Sequence, residues 1–337
     1  MSRIAFITFL TLGLVLTACD EDPVSSNDID NDGRIMFIRN SQEFSQICTI
    51  KPDGTDLRII ASHDFSDEYV PQNYLYARWS PDKSRIVVEG GPRESIEYYP
   101  LWMMDMNGSL LYRLIWFGSR PVWSPDGKKI AYVRRRGYFS LIRDLYQIDA
   151  SGGDEELLLE AETGYRRGYT YYAYDRFPND GGEILLSEKY VYIDSTGRLN
   201  VSDTELLAYD PDSRGKRYLT DNKVINGYGR ISPDGTRIIY TSYLPELYPP
   251  YLSDLLLMSA EGDSIRSLTD GRQPASYFLG AWSPDGQMFA ISDIRATGYP
   301  QEEKGADIYL VDLATSTWDT LTFGRGKGIT NRVMDWK

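Results

Sequence analysis

The sequence predicts an all-β fold, a six-bladed β-propeller made of four-stranded blades. Three observations support this prediction. A motif consisting of an apolar anchor residue, Ser-Pro-Asp-Gly and a strand-like run recurs along the chain. Successive anchors lie 44 to 54 residues apart, a period typical of propeller blades. Each period also holds two more strand-like runs, so every repeat has enough strands for one small sheet whose faces its neighbours cover.

The N-terminal segment is predicted to be a lipoprotein signal peptide, residues 1–18. Arg3 precedes an apolar run, Ile4–Leu16, that is too short for a stop-transfer helix. The end of this segment, Leu16-Thr17-Ala18-Cys19, resembles a bacterial lipobox, which implies cleavage before Cys19 and its acylation. An ordinary secretory cleavage site with an incidental cysteine is the alternative. We therefore expect a protein of the bacterial cell envelope, anchored to a membrane by lipid, with its propeller facing the periplasm or the exterior.

Residues 19–32 are predicted to form a lipidated acidic tether. They are rich in Asp, Glu, Ser and Asn and carry too little apolar surface to fold. The stretch Asp28–Gly33 resembles the first half of an EF-hand calcium loop, but Arg39 occupies the position of its last, bidentate carboxylate. We prefer an acidic linker that ends in a turn, and we expect no metal and no cofactor.

The motif itself is best explained by turn chemistry. Pro fixes φ near −65°, Asp bonds to nearby backbone, and Gly adopts a positive φ. The anchor, usually Trp, is expected to fill the wedge between neighbouring blades. Because its Asp residues lie in hairpin turns, we do not interpret them as a ring of metal ligands or catalytic acids. The copies are Trp79–Lys83, Trp123–Gly127, Ile231–Gly235, Trp282–Gly286 and the degenerate Phe177–Gly181.

The propeller is predicted to cover residues 33–337 and to close on itself. Near the N-terminus, strand-like runs in 34–60 supply the second, third and fourth strands of a blade without a first. Arg332–Trp336 matches the strand that elsewhere ends at the anchor. We expect this C-terminal strand to complete the first blade, because a closed ring leaves no exposed sheet edge.

These repeats resemble the WD40-like PD40 repeats of the TolB family of six-bladed propellers. The resemblance rests on the Trp-Ser-Pro-Asp-Gly signature, the strand after it and a Leu-Thr ending, as in Leu268-Thr269 and Leu321-Thr322. Similar repeats occur in propeller-bearing peptidases and in envelope lipoproteins of several kinds. The resemblance therefore implies a fold and an envelope setting, and leaves the function open.

Composition excludes several classes of function. A formal charge of −13 disfavours nucleic acid as a partner. His63 is the single histidine and no Gly-x-Ser-x-Gly elbow is present, which excludes a Ser-His-Asp hydrolase. No Cys or His cluster has metal-ligand spacing. If Cys19 is acylated, Cys48 has no disulfide partner, and its strand-like surroundings favour a small buried hydrophobe.

Tyrosines and arginines are concentrated in segments that the repeat places on one face, in the connections between blades and between second and third strands. These residue types are favoured at binding hot spots. Packing of loops onto the blades is the alternative explanation. The candidate partner-binding residues are Tyr99, Arg135, Tyr138, Tyr165, Arg166, Arg167, Tyr169, Tyr171, Tyr172, Tyr248, Tyr251 and Tyr299.

We expect a monomeric, non-catalytic binding module or scaffold that takes a protein or carbohydrate partner through this Tyr/Arg-rich loop face. Local positive charge at 134–136 and 166–167 favours an acidic or carbohydrate partner. The alternative is a carboxylate-dependent hydrolase or lyase that acts on an envelope or extracellular polysaccharide or peptide.

Overall fold

The computed structural model describes residues 33–63, 73–92, 99–137, 142–164, 167–178, 182–197, 199–243, 252–270, 275–294, 305–324 and 327–337. Several predicted features lie outside these ranges: the signal peptide, Cys19, the tether with Asp28–Asp32, and the candidate site residues Tyr138, Tyr165, Arg166, Tyr248, Tyr251 and Tyr299. The described ranges include no helix long and apolar enough to cross a bilayer.

Regular structure in the described residues consists of strands, which confirms the all-β prediction. The strands are β1 (Ile35–Asn40), β2 (Ser45–Ile50), β3 (Arg58–His63), β4 (Asn73–Trp79), β5 (Arg85–Gly91), β6 (Leu101–Asp105), β7 (Leu110–Ile115), β8 (Ser119–Trp123), β9 (Lys129–Arg135), β10 (Arg143–Asp149), β11 (Glu156–Leu159), β12 (Thr163–Gly164), β13 (Arg167–Arg176), β14 (Ile184–Ile193), β15 (Leu199–Tyr209), β16 (Lys216–Tyr218), β17 (Ile225–Ile231), β18 (Arg237–Tyr243), β19 (Asp254–Ser259), β20 (Arg266–Ser267), β21 (Ser276–Trp282), β22 (Met288–Ile294), β23 (Ala306–Asp312), β24 (Trp318–Thr320) and β25 (Thr330–Trp336).

Antiparallel pairing groups these strands into four-stranded units. Two units, β4–β7 and β8–β11, are separate sheets. The other units are joined in pairs by a single parallel bridge, Thr204–Ile225 in one sheet and Ala306–Thr330 in the other. In chain order the units are unit 1 (β25 with β1–β3), unit 2 (β4–β7), unit 3 (β8–β11), unit 4 (β13–β16, with β12 on its edge), unit 5 (β17–β20) and unit 6 (β21–β24).

Unit 1 combines the two ends of the described chain. Strand β25 pairs antiparallel with β1, with Ile35 opposite Trp336. The backbone pairing continues one residue further, because Arg34 N donates to Lys337 O at 2.9 Å and Lys337 N donates to Arg34 O at 3.1 Å. The C-terminal strand therefore occupies the same position in unit 1 that β4 occupies in unit 2.

The core of the described residues contains six hydrophobic clusters, each shared between two units. One cluster joins Trp79 of unit 2 to Met36 and Met334 of unit 1. Another joins Trp336 of unit 1 to Ala290 and Ile308 of unit 6. The remaining clusters join units 2 and 3, 3 and 4, 4 and 5, and 5 and 6. Each unit thus buries apolar surface against two others, as the faces of a small sheet require.

The tryptophan anchors lie between units, as the motif predicted. Trp123 of unit 3 donates its indole N–H to Arg78 O of unit 2 at 3.2 Å. Trp282 of unit 6 donates to Arg230 O of unit 5 at 2.9 Å. These two indoles thereby fill the wedge and satisfy their single donor on the neighbouring unit. The buried Nε1 of Trp79 has no hydrogen-bond partner among the described residues.

The Ser-Pro-Asp-Gly turns have the predicted chemistry. In one copy Asp126 Oδ1 accepts from Ser124 Oγ at 2.6 Å and from Lys128 N at 3.0 Å, and Gly127 has φ of +69°. Equivalent bonds from serine and backbone lower the pKa of Asp82 and of Asp234 to about 2. These carboxylates are committed to the turn.

Cys48 and His63, which were discussed in the sequence analysis, both lie in strands of unit 1. Cys48 in β2 is fully buried, as predicted, and burial raises the pKa of its thiol to about 12. His63 was expected in a connection between strands. It is instead the last residue of β3, where it pairs with Ser45 of β2, because the ladder between these strands runs to that position.

Candidate functional site

The innermost strand of each unit has one end at a Ser-Pro-Asp-Gly turn or its equivalent, and we call this side the turn face. We call the opposite strand ends the loop face. A pocket of about 460 Å³ lies on the turn face and is lined by residues from all six units. Five prolines and four tryptophans contribute to its wall: Pro81, Pro125, Pro178, Pro233, Pro284, Trp79, Trp123, Trp282 and Trp336. Residues of all six units therefore line one pocket at this end, and we call the line that runs from it toward the loop face the axis.

A bridge of buried arginines crosses this axis above the turn-face pocket. Arg230 in β17 donates to Tyr76 Oη of β4 at 2.8 Å, to Gly280 O of β21 at 2.6 Å and to Tyr174 O of β13. Arg78 in β4 also donates to Tyr174 O, at 2.8 Å. Four different units thus meet at the centre, and hydrogen bonds fill the space between them.

The arginines of the bridge have acidic partners or backbone acceptors. Arg78 lies 3.6 Å from Asp335 and 4.0 Å from Asp175. Burial alone would lower the pKa of Arg78, but Tyr76, Asp175 and Asp335 raise it. The same two aspartates also accept backbone N–H groups, Asp335 from Trp79 and Asp175 from Ile231, each at 3.1 Å. This level of the axis is electrostatically and sterically satisfied.

Arg120 in β8 lies directly on the loop-face side of the bridge. Its guanidinium lies 5.0, 5.3 and 5.2 Å from the ring centroids of Tyr172, Tyr174 and Tyr228. Its backbone has φ of +54°, a conformation that a bulky residue adopts only when its surroundings impose it. Its Nη1 atom is buried and has no hydrogen-bond partner. A charged donor is therefore held in the centre with unused bonding capacity.

Tyr172 in β13 collects further positive charge. Arg143 donates to Tyr172 Oη at 2.9 Å and lies 4.8 Å from the ring centroid, and Lys189 Nζ lies 5.9 Å from it. Burial would raise the pKa of Tyr172, but Arg143, Lys189, Arg120 and Arg135 outweigh it and lower that pKa. Arg120, Arg143 and Lys189 form no ion pair with any carboxylate in the described part of the chain. We call these three residues with Tyr172 the cationic cluster.

Glu89, near the loop-face end of β5, is a carboxyl group that interacts with the cationic cluster. It is buried and accepts the backbone N–H of Arg120 at 2.8 Å. Burial raises the pKa of Glu89, although the Arg120 N–H and the charges of Arg120, Arg143 and Arg332 act in the opposite direction. The Glu89 carboxyl therefore holds its proton to a higher pH than an exposed glutamate does, despite the cations around it.

The structure brings two of the predicted site residues, Tyr172 and Arg135, close to one another, and it places a third, Tyr99, within reach of the charge of Glu89. Tyr172 is in the cationic cluster, and Arg135, the last residue of β9, acts on the Tyr172 phenol through its charge. Tyr99, just before β6, is influenced by the charges of Glu89 and Arg332. These three lie on the loop-face side of the axis.

The segment Tyr169–Tyr172 was predicted to be a connection between blades, and this was wrong. These residues are in β13, which is ten residues long and pairs with β14 from Arg167 to Arg176. Alternation along the strand then separates neighbouring tyrosines. Tyr171 is 1% exposed, and its hydroxyl contacts Glu188 and Lys216 at 3.0 and 2.8 Å. It is therefore a packing residue, and only Tyr172 reaches the cationic cluster.

Tyr169 belongs to a different surface. Its ring lies 5.3 Å from that of Tyr190, which lies 6.1 Å from that of Tyr192. The side chain of Arg167, also predicted for the site, lies outside the described residues although its backbone begins β13. The predicted site residues on unit 4 therefore do not form one surface.

Four residues of the candidate site, Arg120, Arg143, Lys189 and Glu89, were missed by sequence reasoning. A signal for Arg120 was available in the repeat. The position three residues before the anchor is Tyr76, Arg120, Tyr174 and Tyr228 in units 2 to 5, and all four lie at the axis. Arg143 and Lys189 are on β10 and β14, and only the pairing of complete strands brings them to Tyr172.

A resident metal has no evident site in the part of the chain that the structure describes. No group of three or more His, Cys, Asp or Glu side chains there is arranged to hold an ion.

No protein-family model matches the sequence. Among curated relatives, an uncharacterised protein of Agrobacterium fabrum is 26% identical over 175 residues, half of this chain and 52% of that protein. The Tol-Pal system protein TolB of Roseobacter denitrificans is 34% identical over 89 residues, 26% of this chain and 20% of that protein. The chain therefore spans about half of the first relative and a fifth of the second.

Solved structures resemble the whole described fold at low identity. TolB from Acinetobacter baumannii has a TM-score of 0.65 and 16% identity over 91% of this chain and 67% of that one. A putative TolB from Agrobacterium tumefaciens has a TM-score of 0.60 and 16% identity, and the match covers 90% of this chain and 99% of that one. An oligogalacturonate lyase in complex with manganese has a TM-score of 0.50 and 15% identity, and the match covers 86% of this chain and 74% of that one. With the pairing described above, these similarities show a TolB-like β-propeller fold.

Proposed function

We propose that this protein is a non-catalytic binding module of the bacterial envelope that takes an acidic protein or glycan partner on its loop face. The observation that carries the proposal is the cationic cluster. Three inward cations without an ion-pair partner among the described residues are unusual in a chain with a formal charge of −13. An uncompensated cation in a partly buried place is costly unless a ligand or partner offsets it.

The proposal includes a closed ring of six blades, with β25 completing the first. The sequence of shared hydrophobic clusters supports it, because units 6 and 1 share a cluster just as units 1 and 2 do. Deleting Arg332–Lys337 should then abolish cooperative thermal unfolding at the wild-type temperature. An unchanged melting curve would rule out this closure.

The proposal also places the protein on a membrane through acylated Cys19, on the strength of the lipobox-like sequence. The Tol-Pal name of the curated relatives is compatible with an envelope address. Cys19→Ala should move the protein from the membrane fraction to the soluble fraction of the envelope. Retention in the membrane fraction would contradict lipid anchoring.

Partner binding is tested by crosslinking in cells of the wild type, Arg143→Gln and a matched control, Arg134→Gln. Both arginines lose one charge, but Arg134 is bound to Glu155 at 2.7 and 2.9 Å and has no contact with the cluster. A crosslinked species should be present in the wild type and the control and be lost in Arg143→Gln. Equal crosslinking in all three proteins would place the partner elsewhere and overturn the proposal.

A lyase is the second candidate function, and two residues favour it. Glu89, whose pKa is raised, and Tyr172, whose pKa is lowered, both lie beside Arg120, as an acid and a base of an elimination would. One structural neighbour is a lyase acting on oligogalacturonate. Incubation with that substrate and measurement of the unsaturated product by ultraviolet absorbance decides. Product formation that Tyr172→Phe abolishes would establish the enzyme and displace the binding module.

A further inference from the structure

The cationic cluster identifies the class of partner more narrowly. We propose that it binds the carboxylate of a uronic-acid sugar at the end of an acidic glycan. This inference rests on the proposed function, since it names the ligand of the same site.

The charge and the donor geometry of the cluster favour a carboxylate as its ligand. Arg120, Arg143 and Lys189 converge on one ring within 6 Å of its centroid, and each lacks an acidic partner in the described chain. Arg120 also keeps one buried N–H without an acceptor. A planar guanidinium with a free donor suits a carboxylate, which accepts two parallel hydrogen bonds. One such anion would satisfy the donor and offset the local charge.

The chemistry of the neighbouring groups favours a sugar. The groups around Arg120 include the carboxyl of Glu89 and the ring of Tyr228 with its hydroxyl, and Tyr99 lies within reach of the charge of Glu89. Protein partners usually insert an aromatic or aliphatic anchor into an apolar pocket. The Glu89 carboxyl group can accept a hydrogen bond from a sugar hydroxyl. These groups therefore fit an acidic sugar better than a peptide.

The limited depth of the space at the cluster favours a ligand that is held by its end. Arg120 packs on the ring of Tyr174, and the backbone carbonyl of Tyr174 accepts from the bridge residues Arg78 and Arg230. The axis is filled immediately below the cluster, so a chain cannot be threaded through at this point. A ligand must be held by its end, which is how a terminal sugar would bind.

The inference is tested by calorimetric titration of the full mature chain with trigalacturonate. We expect saturable binding that weakens as salt is raised, because charge pairing is screened. Galactotriose, the neutral counterpart, should not bind measurably. Arg143→Gln and Lys189→Gln should each weaken trigalacturonate binding by about tenfold or more, the usual effect of losing one charged hydrogen bond or pair. Arg134→Gln also removes one positive charge, but from the other face of the unit 3 sheet, because Arg143 pairs with Arg135 and not with Arg134. This variant should bind as the wild type does.

Several outcomes would overturn the inference. Equal binding of galactotriose, or equal losses in Arg134→Gln and Arg143→Gln, would exclude recognition of the carboxylate by the cluster. Tighter binding of galactose 6-phosphate than of galacturonate would assign the cluster to a phosphate. Binding of acetyl-Glu-Glu-Glu-amide, sensitive to Arg143→Gln, without binding of trigalacturonate would leave the proposed acidic-partner function standing and refute the sugar. Failure of all these probes, with no crosslink sensitive to Arg143→Gln, would refute both.

Discussion

Two levels of the same axis use arginine in opposite ways. In the bridge, Arg230 and Arg78 donate to backbone carbonyls, to Tyr76 and toward two aspartates. One level nearer the loop face, Arg120 and Arg143 pack on Tyr172 and form no ion pair with a described carboxylate. Both levels are polar and largely buried, so burial alone does not distinguish them. What differs is whether the charge is already satisfied within the fold.

This difference separates a structural role from a binding role. A buried charge with complete hydrogen bonding stabilises the fold only because its partners are present, and removing one partner leaves the rest uncompensated. A partly buried charge without an ion-pair partner does not stabilise the fold and is available to a ligand. Substitutions at the bridge should therefore affect stability, whereas those in the cationic cluster should affect binding.

Arg230→Met is expected to have the largest effect. It removes the donors to Tyr76 Oη and Gly280 O and one of the two donors to Tyr174 O, in a place where Arg230 is 2% exposed. Loss of one member of a buried charged network typically costs about 3–5 kcal/mol. Denaturant unfolding measures the change. Arg143→Gln, examined in parallel, should lose less than about 1 kcal/mol, and equal losses would abolish the distinction between the two levels.

Tyr171 and Tyr172 sharpen the comparison on a single strand. Tyr171→Phe removes the hydroxyl that contacts Glu188 and Lys216 and should cost about 1–2 kcal/mol, as expected for charged hydrogen bonds in a buried position. Tyr172→Phe keeps the ring under Arg120 and Arg143 and should change stability by less than about 1 kcal/mol while weakening partner binding. Thermal and denaturant unfolding of both variants test this order. A larger loss for Tyr172→Phe would assign the cluster to packing.

The sequence predicted the parts of this axis that repeat. Anchors, turns and most strands follow a local pattern, and the turn bonds at Asp126 depend on residues within a few positions of it. The cationic cluster does not repeat. Arg143, Tyr172 and Lys189 come from β10, β13 and β14 of two units, so their meeting depends on register between strands distant in sequence. The Arg-rich segment could therefore be recognised in the sequence, but the different environments of Tyr171 and Tyr172 could not be predicted from it.

Glu89→Gln should produce the smallest effect, visible only as a dependence on pH. Burial raises the pKa of Glu89 in the folded protein above the 4.5 of an unperturbed glutamate. An acid with a raised folded pKa contributes stability below the unfolded pKa and loses it as pH rises through the folded pKa. Glutamine keeps the acceptor for Arg120 N and never ionises, so the melting temperature of Glu89→Gln should exceed that of the wild type increasingly from pH 5 to pH 8. Glu43→Gln, on an exposed loop, controls for the loss of one carboxylate. A difference that is constant with pH, or that shrinks toward pH 8, would mean that Glu89 is charged in the fold and already compensates the cationic cluster, which would remove the contrast between the two levels.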